Sequence, residues 1–431
     1  MRVCVLGLWH LGAVTAAGLA EVGHQVIGLD FDAGSVAALR TGAAPVFEPG
    51  LDELIGRGLA SQGLRFASSL EELEAIDVLW VAYDTPVDEN DEADVDFVMA
   101  QIERALPAMG GDTVLLVSSQ LPVGSMRRLE RTVGRNGAQR VACCPENLRL
   151  GRAVKDFLHP ERMVVGVRSA QQRPRLLELL SPITTSIVWM SVEAAEMTKH
   201  AINAFLAASV VFANEIASLC EAVGADAREV ERGLKSDGRI GPRAYLSPGG
   251  AFSGGTLARD VAFLNETSLQ RKVTTPLLSS ILPSNELQKL WARRNLQTLL
   301  RDLSRATVAV WGLAYKPGTD TLRRSLSVEL CDWMIGEGVT VRVHDPLVKE
   351  LPQRWMDVVT RCSDPMAAVQ GADALVVATE WPVYRTAGIA QLTQASDHLV
   401  VLDANRFLPD LAAAASPGLR YFAVGTPHAR G

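Results

Sequence analysis

The stretch Arg2-Val3-Cys4-Val5-Leu6-Gly7-Leu8-Trp9-His10-Leu11-Gly12 decides the fold. An apolar run reaches Leu6 and breaks at Gly7; residues 13–22 then read as a helix, and after Gly23 a second strand, Gln25 to Leu29, ends in Asp30. That order is the opening of a βαβ unit. A dinucleotide site on such a unit needs glycine where the backbone turns toward the pyrophosphate, a helix N-terminus to hold that charge, and a carboxylate for the ribose hydroxyls. Gly7, Gly12 and Asp30 fill three of these positions, while Trp9 stands where the usual pattern has its second glycine. Asp30 favours NAD over NADP, because a carboxylate there repels a 2′-phosphate. His10 reads as a packing or solvent residue, since nothing near it in sequence supplies a partner.

Outward from this opening, strand-like runs at residues 78–82, 114–118 and 141–144 alternate with helical segments. Residues 192–223 then form a long helical pattern without proline, suited to a connecting helix. A second βαβ opening follows: strand Thr307 to Trp311, Gly312, a helix over residues 325–335, Gly338, strand Thr340 to His344, and Asp345. The acidic residue lies 23 positions after the strand-end glycine in the first copy (Gly7 to Asp30) and 33 in the second (Gly312 to Asp345). The expected architecture is α/β, with two Rossmann-like domains joined by a long central helix and helical segment: residues 1–190, 191–300 and 301–431.

A chain of 431 residues is long enough for two or three domains. Its 42 basic and 49 acidic residues, net −7 with no long run of either sign, argue against nucleic acid or an anionic membrane as partner. The opening carries one basic residue, Arg2, before a strand, which does not read as a signal sequence, so a cytoplasmic protein is expected. Six cysteines show no C-x-x-C pairing and no histidine at zinc-ligand spacing, so neither disulfides nor a metal site is expected.

The segment D-F-D-A-G-S-V-A-A-L-R-T-G-A-A-P-V-F-E-P-G-L-D-E-L from Asp30 resembles the UDP-glucose/GDP-mannose dehydrogenase family. Further blocks agree in collinear order: Thr85-Pro86, Pro122 to Gly124, P-E-N-L-R-L-G from Pro145, K-D-F-L-H-P-E-R from Lys155, A-E-M-T-K-H-A-I-N-A-F from Ala195, G-L-A-Y-K-P-G-T-D-T-L-R-R-S from Gly312, H-D-P at His344 and T-E-W from Thr379. The resemblance implies oxidation of C6 of a nucleotide-linked hexose, UDP-hexose first among them, using NAD and a cysteine that carries a thioester. It also implies a homodimer built on the long helix.

By the same resemblance the catalytic set is Lys199, Asn203, Glu146 and Asp260, with Thr256 where the family has its nucleophilic cysteine, in A-F-S-G-G-T-L-A-R-D from Ala251. Lys199 and Asn203, four apart on one helix face, match the pair that stabilises an alkoxide at C6. Glu146 matches the family's first catalytic glutamate, and Asp260 matches the aspartate, four residues beyond the catalytic cysteine, that helps orient the base or its water. The cofactor set is Gly7, Trp9, Gly12, Asp30, Thr85, Gln120 and Arg323; the substrate set is Leu148, Arg239, Tyr245, Leu246, Gly254, Lys316 and Arg406. Leu150 and Gln120 depart from the family's glutamate and threonine, and Arg259 replaces a lysine beside Asp260.

These losses fall on thioester formation, because a threonine hydroxyl is far less acidic than a thiol of pKa about 8.5. The reaction either stops at the aldehyde or continues through the hydrated aldehyde without covalent catalysis. An epimerase or lyase that returns the hydride, and a non-catalytic nucleotide-sugar-binding protein, are the alternatives. Net NADH production separates them.

Overall fold

The computed structural model describes residues 1–86, 93–134, 137–145, 148–253, 255–412 and 418–427. The chain forms two compact units, Met1–Ile202 and Asn203–Gly431, which divide within the central helix.

The first unit is built on β1 (Arg2–Leu6), β2 (Gln25–Leu29), β3 (Leu64–Ala67), β4 (Val78–Val81), β5 (Val114–Val117), β6 (Val141–Cys143), β7 (Met163–Gly166) and β8 (Ile187–Met190), in the sheet order β3-β2-β1-β4-β5-β6-β7-β8. Only the β6–β7 pair is antiparallel. Alternation along the strands sends Val3, Val5 and Trp80 to one face, and Cys4, Leu6, Leu79 and Val81 to the other. Both faces are covered, which is why these strands read as near-continuous apolar runs. The order reverses between β1 and β4, and ligands of such sheets bind at the carboxyl ends of the strands at that point.

The first helix, His10–Glu21, begins three residues earlier than residue 13, because Trp9 takes the N-cap with extended backbone (φ −70°, ψ −156°). Residues 11–19 of it are all buried.

The second unit repeats the plan. Its strands β9 (Thr307–Trp311), β10 (Thr340–His344), β11 (Val359–Arg361), β12 (Ala374–Val377), β13 (Leu399–Asp403) and β14 (Leu419–Phe422) lie in the order β11-β10-β9-β12-β13-β14, every pair parallel. The helix expected at 325–335 runs Leu326–Gly336, with Ser325 as its N-cap. Two Rossmann-like sheets and a long central helix, Val192–Val223, are therefore present as expected.

Within the second unit, the central helix packs Ala204, Ala207 and Val211 against Val261, Leu264 and Ile281 of the helices Thr256–Arg271 and Pro276–Lys289. Phe205, Phe212 and Leu219 recur every seven residues and are 71%, 47% and 62% exposed, so a second apolar stripe is left on the surface of this unit. The central helix alone among the described residues is long and apolar enough to cross a membrane, and its packed face is that of a core helix.

Candidate functional site

In the first unit the glycine turn has the geometry a dinucleotide needs. Gly7 has φ +91°, and a Cβ there would come within 2.6 Å of the Tyr83 ring. A Cβ on Gly12 would lie 1.6 Å from the Gly7 carbonyl oxygen, so the helix can approach β1 this closely only with glycine. Trp9 keeps φ negative and its side chain is 55% exposed, so the absent second glycine leaves the turn intact. Asp30, at the end of β2, accepts N–H bonds from Leu8 at 2.8 Å and from Asp32 at 3.1 Å. The buried Thr85 donates its hydroxyl to the Gln120 carbonyl at 2.6 Å, tying the ends of β4 and β5 together. These residues fit NAD: a tight turn, a helix N-terminus and a carboxylate at the end of β2 share one edge of the sheet.

His10 has the partner that its sequence neighbourhood lacks. Its Nε2 lies 2.9 Å from Glu48, and the same buried carboxylate accepts from the backbone of Gly151 (2.7 Å) and Ala153 (2.9 Å). Glu48 thereby joins the start of the first helix to the loop that follows Pro145. Glu48 belongs to the F-E-P-G run of the resembling segment, and an acid inside so apolar a run was the signal for it.

Lys199 is half-buried and lines a small cavity with Gln120, Leu121, Cys143, Pro145 and Glu196. The helix face around it is fixed: Glu196 accepts from Gly124 and Met126 N–H at 2.9 Å each, and His200 Nε2 lies 3.0 Å from the Leu121 carbonyl. Burial pushes the Glu196 carboxyl above its ordinary range, against the two N–H donors that favour its charge. Glu146 lies outside the described residues. Leu148 is half-buried and lines another cavity of this unit, with Trp80, Arg149, Lys155 and Arg162.

In the second unit the Asn203 side-chain amide donates to the carboxylate of Asp260, which is fully buried. Thr256 stands one turn earlier, exposed, as the first residue of its helix, behind Gly255 at φ +112°. Gly254 lies outside the described residues. All six cysteines are free of disulfides, and only Cys362 is half-exposed. Burial pushes the Cys143 thiol well up, and that of Cys4 to about 12.

A cavity of about 300 Å³, a modest size for a small-molecule pocket, opens at the carboxyl edge of the second sheet. Lys316, Ser325, Thr379, Gln288 and Asn405 line it beside β9 and β12, the switch point of this sheet. Arg323 is exposed in the loop before Ser325. Arg406 is turned to Asp226 and Thr426, both at 3.1 Å, and it is Asn405 that faces the cavity and accepts from Gly250 N–H at 2.8 Å. Arg239 pairs with Asp237 in solvent, Tyr245 is 60% exposed and Leu246 is half-buried, and none of the three lines this cavity.

The acid that repeats Asp30 in the second unit has a different occupation. Asp345 accepts from Leu313, Ala314, Leu347 and Val348 N–H and from Trp381 Nε1, all at 2.8–3.1 Å, and is buried. Burial raises its carboxyl, but the backbone donors outweigh this and hold it below the ordinary carboxylate range. Asp345→Ala leaves these donors without an acceptor and is expected to cost about 3–5 kcal/mol, read as a lower melting temperature of the variant. Because folding lowers this pKa, the contribution is present above the unfolded carboxylate pKa of about 3.9 and is lost as pH falls through the folded value. A variant that melts with the wild type at neutral pH contradicts the assignment.

The family model for the NAD binding domain of the UDP-glucose/GDP-mannose dehydrogenases matches residues 1–184, that for the central domain 193–287, and that for the UDP binding domain 309–410. UDP-glucose 6-dehydrogenase of Pseudomonas aeruginosa is 35% identical over 100% of this chain and 98% of its own length. That of Rhizobium meliloti is 32% identical over 99% and 100%. A UDP-glucose dehydrogenase from the hyperthermophilic archaeon Pyrobaculum islandicum superposes with a TM-score of 0.85 at 30% identity, covering 99% of this chain and 98% of that one.

Proposed function

Since the chain belongs to the UDP-glucose/GDP-mannose dehydrogenase family and is an NAD-dependent nucleotide-sugar dehydrogenase, we propose that it oxidises C6 of a UDP-linked hexose and stops at the aldehyde. The observation that carries this reading is the buried Asn203–Asp260 pair, kept intact one helical turn from a threonine. Bound NAD supplies the hydride acceptor. Lys199 and the second N–H of Asn203 stabilise the alkoxide as O6 gives up its proton to a water ordered by Asp260, with Glu146 and Thr256 completing the set. Thr256 lacks the acidity to attack the aldehyde, so no thioester forms.

Gly7, Trp9, Gly12, Asp30, Thr85, Gln120 and Arg323 hold the cofactor in this reading. Lys316, Leu148, Arg239, Tyr245, Leu246, Gly254 and Arg406 serve the sugar nucleotide. A second reading, in which water adds to the aldehyde and a second hydride leaves, draws on Asp260, a buried carboxylate able to order that water. Absorbance at the NADH band with UDP-, GDP- and TDP-hexoses, followed by mass spectrometry of the sugar, decides between them. Aldehyde with one hydride lost supports the first reading, carboxylate the second. Tight sugar-nucleotide binding without net NADH would sink both in favour of internal redox or binding alone.

We further propose the three-part division at residues 190 and 300, a cytoplasmic enzyme, and a homodimer built on the central helix. Six cysteines outside any disulfide accord with a reducing compartment. The exposed Phe205–Phe212–Leu219 stripe supports the dimer, because an apolar face of this length is costly in water. Phe205→Glu with Phe212→Glu is expected to halve the sedimenting mass at micromolar concentration. A wild type that already sediments as a monomer would contradict the dimer.

A further inference from the structure

The N-terminus of the first helix already faces an anion supplied by the chain itself. The Leu11 N–H donates to the Asp84 carboxylate at 3.0 Å, across 73 residues of sequence. Asp84 lies in the loop that leaves β4, between Tyr83 and Thr85, which are both buried. The Tyr83 ring packs under Gly7 and meets Phe97 edge-on at 5.7 Å, while the Thr85 hydroxyl is bonded to the Gln120 carbonyl. Both neighbours are thus anchored, and the carboxylate is carried on a fixed stretch of backbone.

The N–H groups of a helix's first turn have no partners within the helix, and with the helix dipole they form the seat of a dinucleotide's pyrophosphate. A carboxylate on one of these donors competes with phosphate for the donor and repels it through the field.

We propose that Asp84 sets the affinity of the cofactor site: its carboxylate holds, in the free protein, a donor that the pyrophosphate takes in the complex, so that NAD binds against an internal competitor. This rests on NAD being seated at the Gly7–Gly12 turn. The side chain is a positioning group in the site and has no part in hydride transfer.

Asp84→Asn is nearly isosteric, keeps an amide oxygen to accept from Leu11 and removes the charge. Titration calorimetry with NAD is expected to give a dissociation constant about tenfold lower for the variant than for the wild type, with the gap narrowing as salt is raised. The dissociation constant for UDP-glucose should not move. Asp84→Ser, which also lacks the charge, should behave as Asp84→Asn does, and melting curves establish that each variant is folded. Equal or weaker NAD binding by both folded variants overturns the proposal and leaves the cofactor assignment standing. Absence of NAD binding in wild type and variants alike overturns both.

Discussion

Lys199→Ala lowers kcat/KM for nucleotide-sugar oxidation by an expected factor of about 10²–10⁴, carried mainly by kcat, while the dissociation constant of NAD stays near its wild-type value. Charge at O6 is largest in the transition state, so an ammonium aimed at it contributes little to ground-state binding and much to the rate. The helix around Lys199 is pinned independently of its side chain, by Glu196 on the backbone of Gly124 and Met126 and by His200 on Leu121. Initial rates of NADH formation over a range of UDP-hexose concentrations, with calorimetry for NAD, give both quantities. A fall of less than about tenfold, or an equal loss of NAD binding, means that Lys199 does not stabilise the alkoxide.

Thr256→Cys is expected to change the product. With a thiol restored, the aldehyde can be captured, oxidised as a thiohemiacetal and hydrolysed as a thioester, so NADH per sugar rises from about one to about two and a carboxylate replaces the aldehyde. The position is suited to a thiolate even though it now carries threonine. Residue 256 opens the helix Thr256–Arg271 and is exposed, and a helix N-terminus lowers the pKa of a cysteine placed there. Asp260, one turn on, remains to order the water that hydrolysis needs. Mass spectrometry of the sugar product, with the NADH count, reads the result. If wild type already yields carboxylate, the threonine has not truncated the reaction; if the variant still yields aldehyde, more than the thiol has been lost.

Both sheets were legible from short-range pattern, because a buried parallel strand closed by glycine and followed by a helix writes itself into five to fifteen consecutive residues. The strands Arg2–Leu6, Gln25–Leu29, Thr307–Trp311 and Thr340–His344 and the central helix Val192–Val223 were placed this way. What the pattern did not contain was partnership across distance. His10 meets Glu48 from 38 residues away, Leu11 meets Asp84 from 73, and Trp381 meets Asp345 from 36, pairings set by which strands adjoin in the sheet. The first helix began at His10 because Trp9, which looked like a defect in the glycine pattern, caps it by backbone geometry alone. Arg406 was singled out by the resemblance alone, and its guanidinium is directed to Asp226. The residue that reaches the cavity is its uncharged neighbour Asn405.

The saturation of Asp345 bears on the tempo of catalysis. The acid at the end of β10 is taken up by its own backbone and Trp381, and it is residues 1–184 that match the family's NAD binding domain. A sugar that gave up one hydride would leave that domain holding NADH until the reduced cofactor departed. A product requiring two hydrides has to wait through the exchange with a reactive aldehyde in place, which is the interval a covalent thioester route protects. A product requiring one is complete before the exchange begins, so departure of the reduced cofactor closes the cycle instead of interrupting it.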